Sequence, residues 1–146
     1  MTKQLAQYSV PAENSRVIRV FLSSTFRDME MERSALVRLY KGLQVKAASR
    51  GATISLVDLR RGITEEDAKS GKVVEICLKE IVNSRPFFIG MVGDRYGWCP
   101  SYEDLSQTLN DSLEYRWIED DLNHHLSVTE IEMQFGVLRN PNLLHA

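Results

Sequence analysis

The chain has 146 residues, of which 43% are hydrophobic and 26% are charged, and its formal net charge at pH 7 is −2. These values are typical of one globular domain with its own core. They exclude a dedicated nucleic-acid binder, which would carry a large basic excess, and we find no apolar run long enough to span a membrane. The two cysteines, Cys77 and Cys99, have no paired spacing. We therefore expect a cytoplasmic protein with neither a disulfide framework nor a metal site.

The charges are unevenly distributed along the chain. Residues 1–61 carry 11 Lys and Arg against 5 Asp and Glu, whereas residues 62–146 carry 7 against 15. An ordinary solvated surface explains this asymmetry. A second interpretation is that the domain has a basic and an acidic face, which would favour head-to-tail self-association.

The first part of the chain predicts a strand followed by a long helix. Residues 1–16 are polar, and we expect them to form a mobile lead-in to a single domain over residues 17–146. The apolar run at residues 17–22 predicts a buried strand. From Asp28 the apolar residues follow helical spacing, with Leu36, Leu39, Tyr40, Leu43 and Ala47 on one face, and the helix is predicted to end near Arg50.

The middle of the chain repeats this alternation. Residues 52–57 predict a second strand, and residues 72–84 predict a helix. The buried face of this helix is formed by Val73, Val74, Cys77, Leu78 and Ile81. Residues 86–92 are almost continuously apolar, which predicts a third strand buried on both sides.

The C-terminal part is predicted to be mainly helical. Residues 102–122 are acidic and partly helical, and residues 127–140 begin with a capping serine and end before Pro141. The alternation of strands and helices predicts an α/β fold with a short parallel sheet and right-handed crossovers. We expect the strand order 2-1-3, which places a crevice between the carboxyl ends of the first and third strands.

Three hydroxyl groups mark the end of the first strand, in the sequence SSTFRD. Ser24 or Thr25 can cap the following helix, and Thr25 with Asp28 fits a capping box. A helix N-terminus at a crevice also binds anions, and Arg27 adds a cation there. Ser23, Ser24, Thr25 and Arg27 are therefore candidates for holding a phosphate, although the stretch lacks the glycines of a dinucleotide fingerprint or a P-loop.

The third strand ends in a second candidate segment, GDRYGW. Asp94 and Arg95 can pair with each other or with the charges of the first junction. Tyr96 and Trp98 can pack in the core, or can offer a flat face to a base or a nicotinamide ring. We therefore keep Asp94, Tyr96 and Trp98 as candidate ligand-binding residues.

Carboxylates supply the remaining candidates. Glu130 and Glu132 open the last helix, where acidic groups interact favourably with the helix dipole. Residues two apart on a helix do not share a face, so we expect one of the two to point at the crevice, where it can stabilise an oxocarbenium-like transition state. Asp58, after the second strand, can bind a ribose or pair with Arg60 or Arg61.

Four blocks of the sequence, in order, resemble a known family. They are RVFLSSTFRDMEMER, VDLRRGIT, FFIGMVGDRYGW and SVTEIEMQFGVLRNP, and the resemblance as a whole extends over about residues 17–141. They are similar to the signature blocks of the TIR-like domain of unknown function 4062 family. That family occurs at the N-terminus of NACHT or related STAND ATPases and of tetratricopeptide-repeat proteins, including bacterial antiphage receptors.

The resemblance implies a flavodoxin-like, TIR-related three-layer fold and a role as an effector or signalling module in innate immunity. It also implies further C-terminal NTPase or repeat domains outside this chain. The family usually continues with another apolar strand after RNP, so we expect the sheet here either to lack an edge strand or to be completed by residues outside this sequence. Distantly similar TIR domains either self-assemble as adaptors or cleave NAD⁺, which here would be a substrate and not a bound cofactor. Their W-x-x-x-E frame points to Glu132 as the catalytic residue, with Glu130 as second choice, although Val128 stands where the tryptophan would be.

Overall fold

The computed structural model describes residues 16–60, 71–111 and 113–139. The strands are β1 (Arg16–Ser23), β2 (Ala52–Val57) and β3 (Phe88–Gly90). The helices are α1 (Glu30–Ala48), α2 (Gly71–Ser84), α3 (Tyr102–Asp111), α4 (Arg116–Asp121) and α5 (Val128–Met133), and a π-helical turn, Gln134–Leu138, continues α5. Short 3₁₀ turns at Leu113–Tyr115 and Leu122–His124 flank α4. Apart from Arg16, the predicted lead-in lies outside the described residues, as does Pro141.

The three strands form one parallel sheet in the order β2-β1-β3, as the sequence predicts. The register aligns Val20 with Leu56 and Leu22 with Ile89. Parallel neighbours need a crossover between them, and α1 and α2 provide the two crossovers. The α/β fold with a short parallel sheet is therefore confirmed.

The main core lies on the α2 side of the sheet. Phe21, on the central strand, is fully buried there, and its ring stacks on Phe88 with the centroids 5.7 Å apart. All five α2 residues predicted to face the core are buried. The rest of the core consists of apolar side chains from α3, α4 and α5 and the turns around them, including Leu105, Tyr115, Ile118, Leu126, Ile131 and Phe135.

The opposite side of the sheet is covered by α1. Val20 and Leu22 alternate with Phe21 and therefore point to this side. Tyr40 and Ala47 of α1 are buried. Leu39, which the helical spacing placed on the inner face, is 59% exposed, so that prediction is wrong. The reason is that α1 carries apolar residues around most of its circumference, so that spacing alone does not define one inner face. None of the described helices combines the length and apolarity needed to cross a bilayer.

Strand β3 is shorter and more exposed than predicted. It spans Phe88–Gly90, and its backbone pairing with β1 extends only from the Phe87 carbonyl, which accepts from Phe21 N, to Met91 N, which donates to Ser23 O. Phe88 and Ile89 are half-buried and Gly90 is exposed. The prediction of a strand buried on both sides is therefore wrong, because within the described residues β3 is the edge of the sheet.

Two glycines offer a matched test of this packing. A Cβ at Gly136 would meet Phe88 Cδ2 and Cε2 at 2.5 Å, whereas a Cβ at Gly42 in α1 would meet nothing within 4 Å. We expect Gly136→Ala to lower the free energy of unfolding by about 1–3 kcal/mol through overpacking. Gly42→Ala should raise it by about 0.5–1 kcal/mol through the helix propensity of alanine. Urea unfolding of both variants measures the difference, and equal effects would contradict this account.

Candidate functional site

Three segments meet at the carboxyl end of the sheet: the β1–α1 junction, the turn at residues 93–98 and the start of α5. Val128 N of α5 donates to Trp98 O over 2.9 Å, and Arg95 N of the turn donates to Asp28 Oδ2 of the junction over 2.9 Å. Ser127 caps α5, as predicted, because its hydroxyl accepts from Glu130 N at 3.2 Å. These hydrogen bonds fix the relative positions of the segments.

Among the described residues, two cavities lie between these segments, and Thr25 borders both. The larger one has a volume of about 220 Å³, and its walls include Thr25, Val92, Tyr96, Glu130, Met133 and Leu138. The smaller one has a volume of about 50 Å³, and its walls include Thr25, Arg60, Trp98 and Thr129. Thr25 Oγ1 is buried and has no hydrogen-bond partner among the described residues, so a polar group that entered the site would find a partner there.

Glu132 is fully buried and lines neither cavity. Its carboxylate accepts a hydrogen bond from Ser23 Oγ at 2.5 Å and pairs with Arg60, whose guanidinium nitrogens lie 3.1–3.3 Å from the carboxylate oxygens. Arg60 Nε also donates to Ser24 O over 2.8 Å. This buried cluster of Ser23, Arg60 and Glu132 links the end of β1, the segment after β2 and α5.

The cluster perturbs its own members and the neighbouring thiol. Burial lowers the pKa of Arg60, but the attraction to the Glu132 carboxylate outweighs it and the net pKa is raised. Burial, and then the negative charge of Glu132, raise the pKa of the Cys77 thiol well above its usual range. Cys77 is therefore a neutral, enclosed thiol and not a nucleophile.

The hydroxyls of the β1–α1 junction do not cap α1, so the capping prediction is wrong. The helix begins at Glu30, two residues later than expected, and Met29, in the left-handed conformation, occupies the N-cap position without a side-chain cap. Ser24 Oγ instead accepts from Arg33 Nη1 at 2.9 Å, and Arg33 also donates to the carbonyls of Thr25 and Phe26 at 2.9 and 3.0 Å. A buried arginine of α1, and not the helix N-terminus, thus holds the junction.

Asp28 connects the junction to the aromatic turn. Besides accepting from Arg95 N, its carboxylate lies so close to Gly93 that a Cβ at that glycine would be 2.2 Å from Oδ2. Asp28 therefore acts through the turn backbone and not as the capping-box residue of the prediction. Arg27 and Asp94, two of the candidate ligand-binding residues, are exposed at the rim of this region.

Tyr96 and Glu130 form the accessible polar pair of the larger cavity. Tyr96 is 52% exposed, and its hydroxyl donates to Glu130 Oε2. This hydrogen bond raises the pKa of Tyr96. Trp98, by contrast, is half-buried, packs against the core and borders the small cavity. Of the two candidate glutamates, Glu130 therefore faces the larger cavity and Glu132 faces the interior.

Asp58 lies apart from these residues. Its Oδ1 accepts from Arg60 N at 3.1 Å, and the residue borders a separate cavity of about 340 Å³ between α1 and β2. The Arg60 side chain, a possible ion-pair partner of Asp58 in the sequence interpretation, instead extends to Glu132. The structure does not bring Asp58 into the cavities around Thr25.

The sequence interpretation missed the roles of Arg33 and Arg60. Both lie inside blocks that resemble the family, but neither stands in a spacing that predicts its buried contacts. One signal was present: a carboxylate predicted inside an apolar helix face, such as Glu132, needs a buried cation.

The buried pair gives a direct test. Arg60→Met would leave the Glu132 charge buried and uncompensated, and we expect it to reduce the free energy of unfolding by about 3–5 kcal/mol. Arg60→Met with Glu132→Met should recover part of that loss. Arg19→Met, which removes the more exposed Arg19–Glu80 pair, is the matched control and should cost less than about 1 kcal/mol. Urea unfolding measures all three, and equal losses for Arg60→Met and Arg19→Met would contradict the assigned role.

Similar proteins share this domain as a small part of much longer chains. The sequence is 42% identical over 122 residues to "Telomerase protein component 1" of Rattus norvegicus, covering 82% of this chain and 4% of that protein. It is 30% identical over 130 residues to a TPR repeat-containing protein of Dictyostelium discoideum, covering 83% of this chain and 8% of that protein. A 78-residue stretch is 35% identical to the "NACHT domain- and WD repeat-containing protein 1" of Mus musculus, covering 49% of this chain and 5% of that protein.

No solved structure matches the sequence. The family described as "Domain of unknown function (DUF4062)" matches residues 19–134. That range begins within β1 and ends just after α5, and so includes all the residues that line the two cavities around Thr25 except Leu138. The chain therefore belongs to the domain of unknown function 4062 family.

Proposed function

We propose that the chain is a TIR-like signalling domain at the N-terminus of a larger NACHT-type or repeat-containing receptor, and that it works in the cytoplasm by associating with copies of itself. The observation that carries the proposal is the state of Glu132. The catalytic carboxylate implied by the W-x-x-x-E frame is fully buried, paired with Arg60 and bonded to Ser23. A carboxylate held in this way is enclosed by the fold and lines neither cavity around Thr25.

Two further observations support an interaction role. The larger cavity, at about 220 Å³, is below the roughly 300–1,000 Å³ of typical small-molecule sites. Two of the similar proteins named above have NACHT, WD or TPR in their names. This chain matches only 8% and 5% of their lengths, so both are many times longer than it is. A small domain within a long chain can signal the state of the rest of that chain by binding the same domain of another copy.

The proposal predicts reversible self-association of the isolated chain. We expect the average mass measured by sedimentation to rise with protein concentration. The mass should fall at high ionic strength, because salt screens interactions between exposed charges. A chain that remains monomeric at every concentration would contradict the proposal. Glu130→Gln should leave the association unchanged, which separates this function from the enzymatic one below.

A second candidate is cleavage of NAD⁺ by the associated form. The observation that favours it is that Tyr96 and Glu130 line one cavity together with Thr25, whose buried hydroxyl has no hydrogen-bond partner within the part of the chain that the structure describes. In this proposal the junction with Ser23, Ser24 and Arg27 lies beside the phosphates and the Tyr96 ring packs on nicotinamide. Association would have to enlarge the cavity, since a dinucleotide exceeds its present volume.

The reaction would break the bond between the ribose C1′ and the nicotinamide nitrogen. Water adds to C1′, and nicotinamide, ADP-ribose and a proton are released. Glu130, the carboxylate that faces the cavity, would stabilise the oxocarbenium-like transition state. This assigns to Glu130 the role that the sequence frame gave to Glu132.

Nicotinamide release from NAD⁺ by a concentrated, associated sample tests this second candidate. We expect Glu130→Gln to lower the rate by about a hundredfold or more, because it removes the charge that stabilises the transition state. Glu103→Gln, at an exposed acidic position in the first turn of α3, is the control and should retain the full rate. No release from any associated sample, or equal rates for the two variants, would remove the enzymatic candidate.

A further inference from the structure

The outer face of α1 carries an unusual set of exposed residues. Met31, Ala35, Arg38, Gly42, Val45 and Ser49 follow one another at alternating spacings of four and three residues, and all six are exposed. Met31 is 82% and Val45 is 72% exposed. This spacing is that of the seam of a coiled coil. We call these six residues the outer face of α1.

The outer face lies opposite the part of α1 that packs on the sheet. Tyr40 and Ala47, which are buried, stand five residues after Ala35 and Gly42 respectively, so that they project from the other side of the helix. Gly42 lies inside the helix, where glycine is unfavourable, and no atom within 4 Å of its would-be Cβ requires a glycine there. The small residues Ala35 and Gly42 would allow a second helix to approach the backbone closely.

Charges beside the outer face indicate what would cover it. Glu32, Leu39 and Lys46 lie along one flank at intervals of seven residues, and all three are exposed. In an antiparallel pair of α1 helices, Glu32 of each copy would face Lys46 of the other, with the two Leu39 side chains between these ion pairs. The charges on this flank of one copy therefore complement the charges on the same flank of a second, antiparallel copy.

A parallel pair would not have this property. In a parallel pair, Lys41 on the other flank of each copy would lie beside Lys46 of the other copy, which gives two repulsive contacts. In the antiparallel pair the two Lys41 side chains approach each other only once, where their long stems can reach solvent. The charge pattern thus favours one orientation.

We infer that the outer face of α1 is the contact surface between two copies of this chain, which pack with their α1 helices antiparallel about a two-fold axis. The inference rests on the proposed function, since it names the surface that self-association uses. The 19-residue helix is about 28 Å long, so one helix pair buries less than a standard interface, and the association should be weak for the free chain. Tethering in a longer protein would raise the effective concentration.

A charge exchange between Glu32 and Lys46 tests the inference on the 146-residue chain. Glu32→Lys or Lys46→Glu alone replaces both attractions by repulsions, and we expect each to raise the Kd measured by sedimentation about tenfold. The double variant Glu32→Lys/Lys46→Glu restores opposite charges and should return the Kd to within about threefold of the unmodified chain. Val45→Glu should abolish association, whereas Leu113→Glu, at an equally exposed apolar position outside α1, should not change it.

Controls make each outcome decisive. Glu103→Lys reverses a charge in the first turn of another helix and should leave the Kd unchanged, and thermal unfolding of every variant shows that the monomer is folded. If the chain associates but the α1 variants bind normally, the inference is wrong and the proposed function stands. If the single variants weaken association and the double variant does not restore it, the antiparallel orientation is wrong. If the unmodified chain never associates, both proposals are wrong.

Discussion

The buried ion pair of Arg60 with Glu132 holds together the carboxyl end of the sheet. It joins the segment after β2 to α5, while Ser23 and the Ser24 carbonyl bring in the end of β1. Such a pair is costly to bury and costly to break, because either partner alone would be an uncompensated charge in the core. The pair thus joins three elements that are far apart in the sequence, and it constrains their relative positions.

This constraint separates the two glutamates of α5 into different roles. Residues two apart on a helix project roughly 200° from one another, so when Glu132 points into the interior Glu130 must point away from it. The structure places Glu130 beside Tyr96 on the wall of the larger cavity. The chemistry open to the site is consequently that of one accessible carboxylate, one phenol and an enclosed threonine hydroxyl.

Much of the fold follows from local patterns in the sequence, whereas much of the site does not. The strands, the buried face of α2, the Ser127 cap and the strand order depend on periodicity and on crossover rules, which act over short distances along the chain. The roles of Arg33 and Arg60 depend on contacts that their neighbours in the sequence do not reveal, and the Arg60–Glu132 pair spans 72 residues. The full burial of Glu132 and the edge position of β3 likewise depend on which elements pack beside them.

The same dependence on packing explains the error at the start of α1. Hydroxyl residues before a helix usually cap it, and the sequence offered two of them. Here a stronger donor, the buried guanidinium of Arg33, binds Ser24 and the neighbouring carbonyls, so the junction continues to Met29 before the helix begins. At this junction the contacts of Arg33, a charged side chain from the first turn of the helix, outweighed the local capping propensity.

The close approach of Asp28 to Gly93 has a mechanical consequence. The carboxylate lies against a backbone that has no side chain and accepts a hydrogen bond from Arg95 N, so that it couples the β1–α1 junction directly to the aromatic turn. Across the larger cavity lies α5, which continues as a π-helical turn that lines the cavity through Gln134 and Leu138. Widening the cavity would require breaking the Val128–Trp98 and Tyr96–Glu130 hydrogen bonds between α5 and the turn, and the π-helical turn is where the backbone hydrogen bonding of this helix is already irregular.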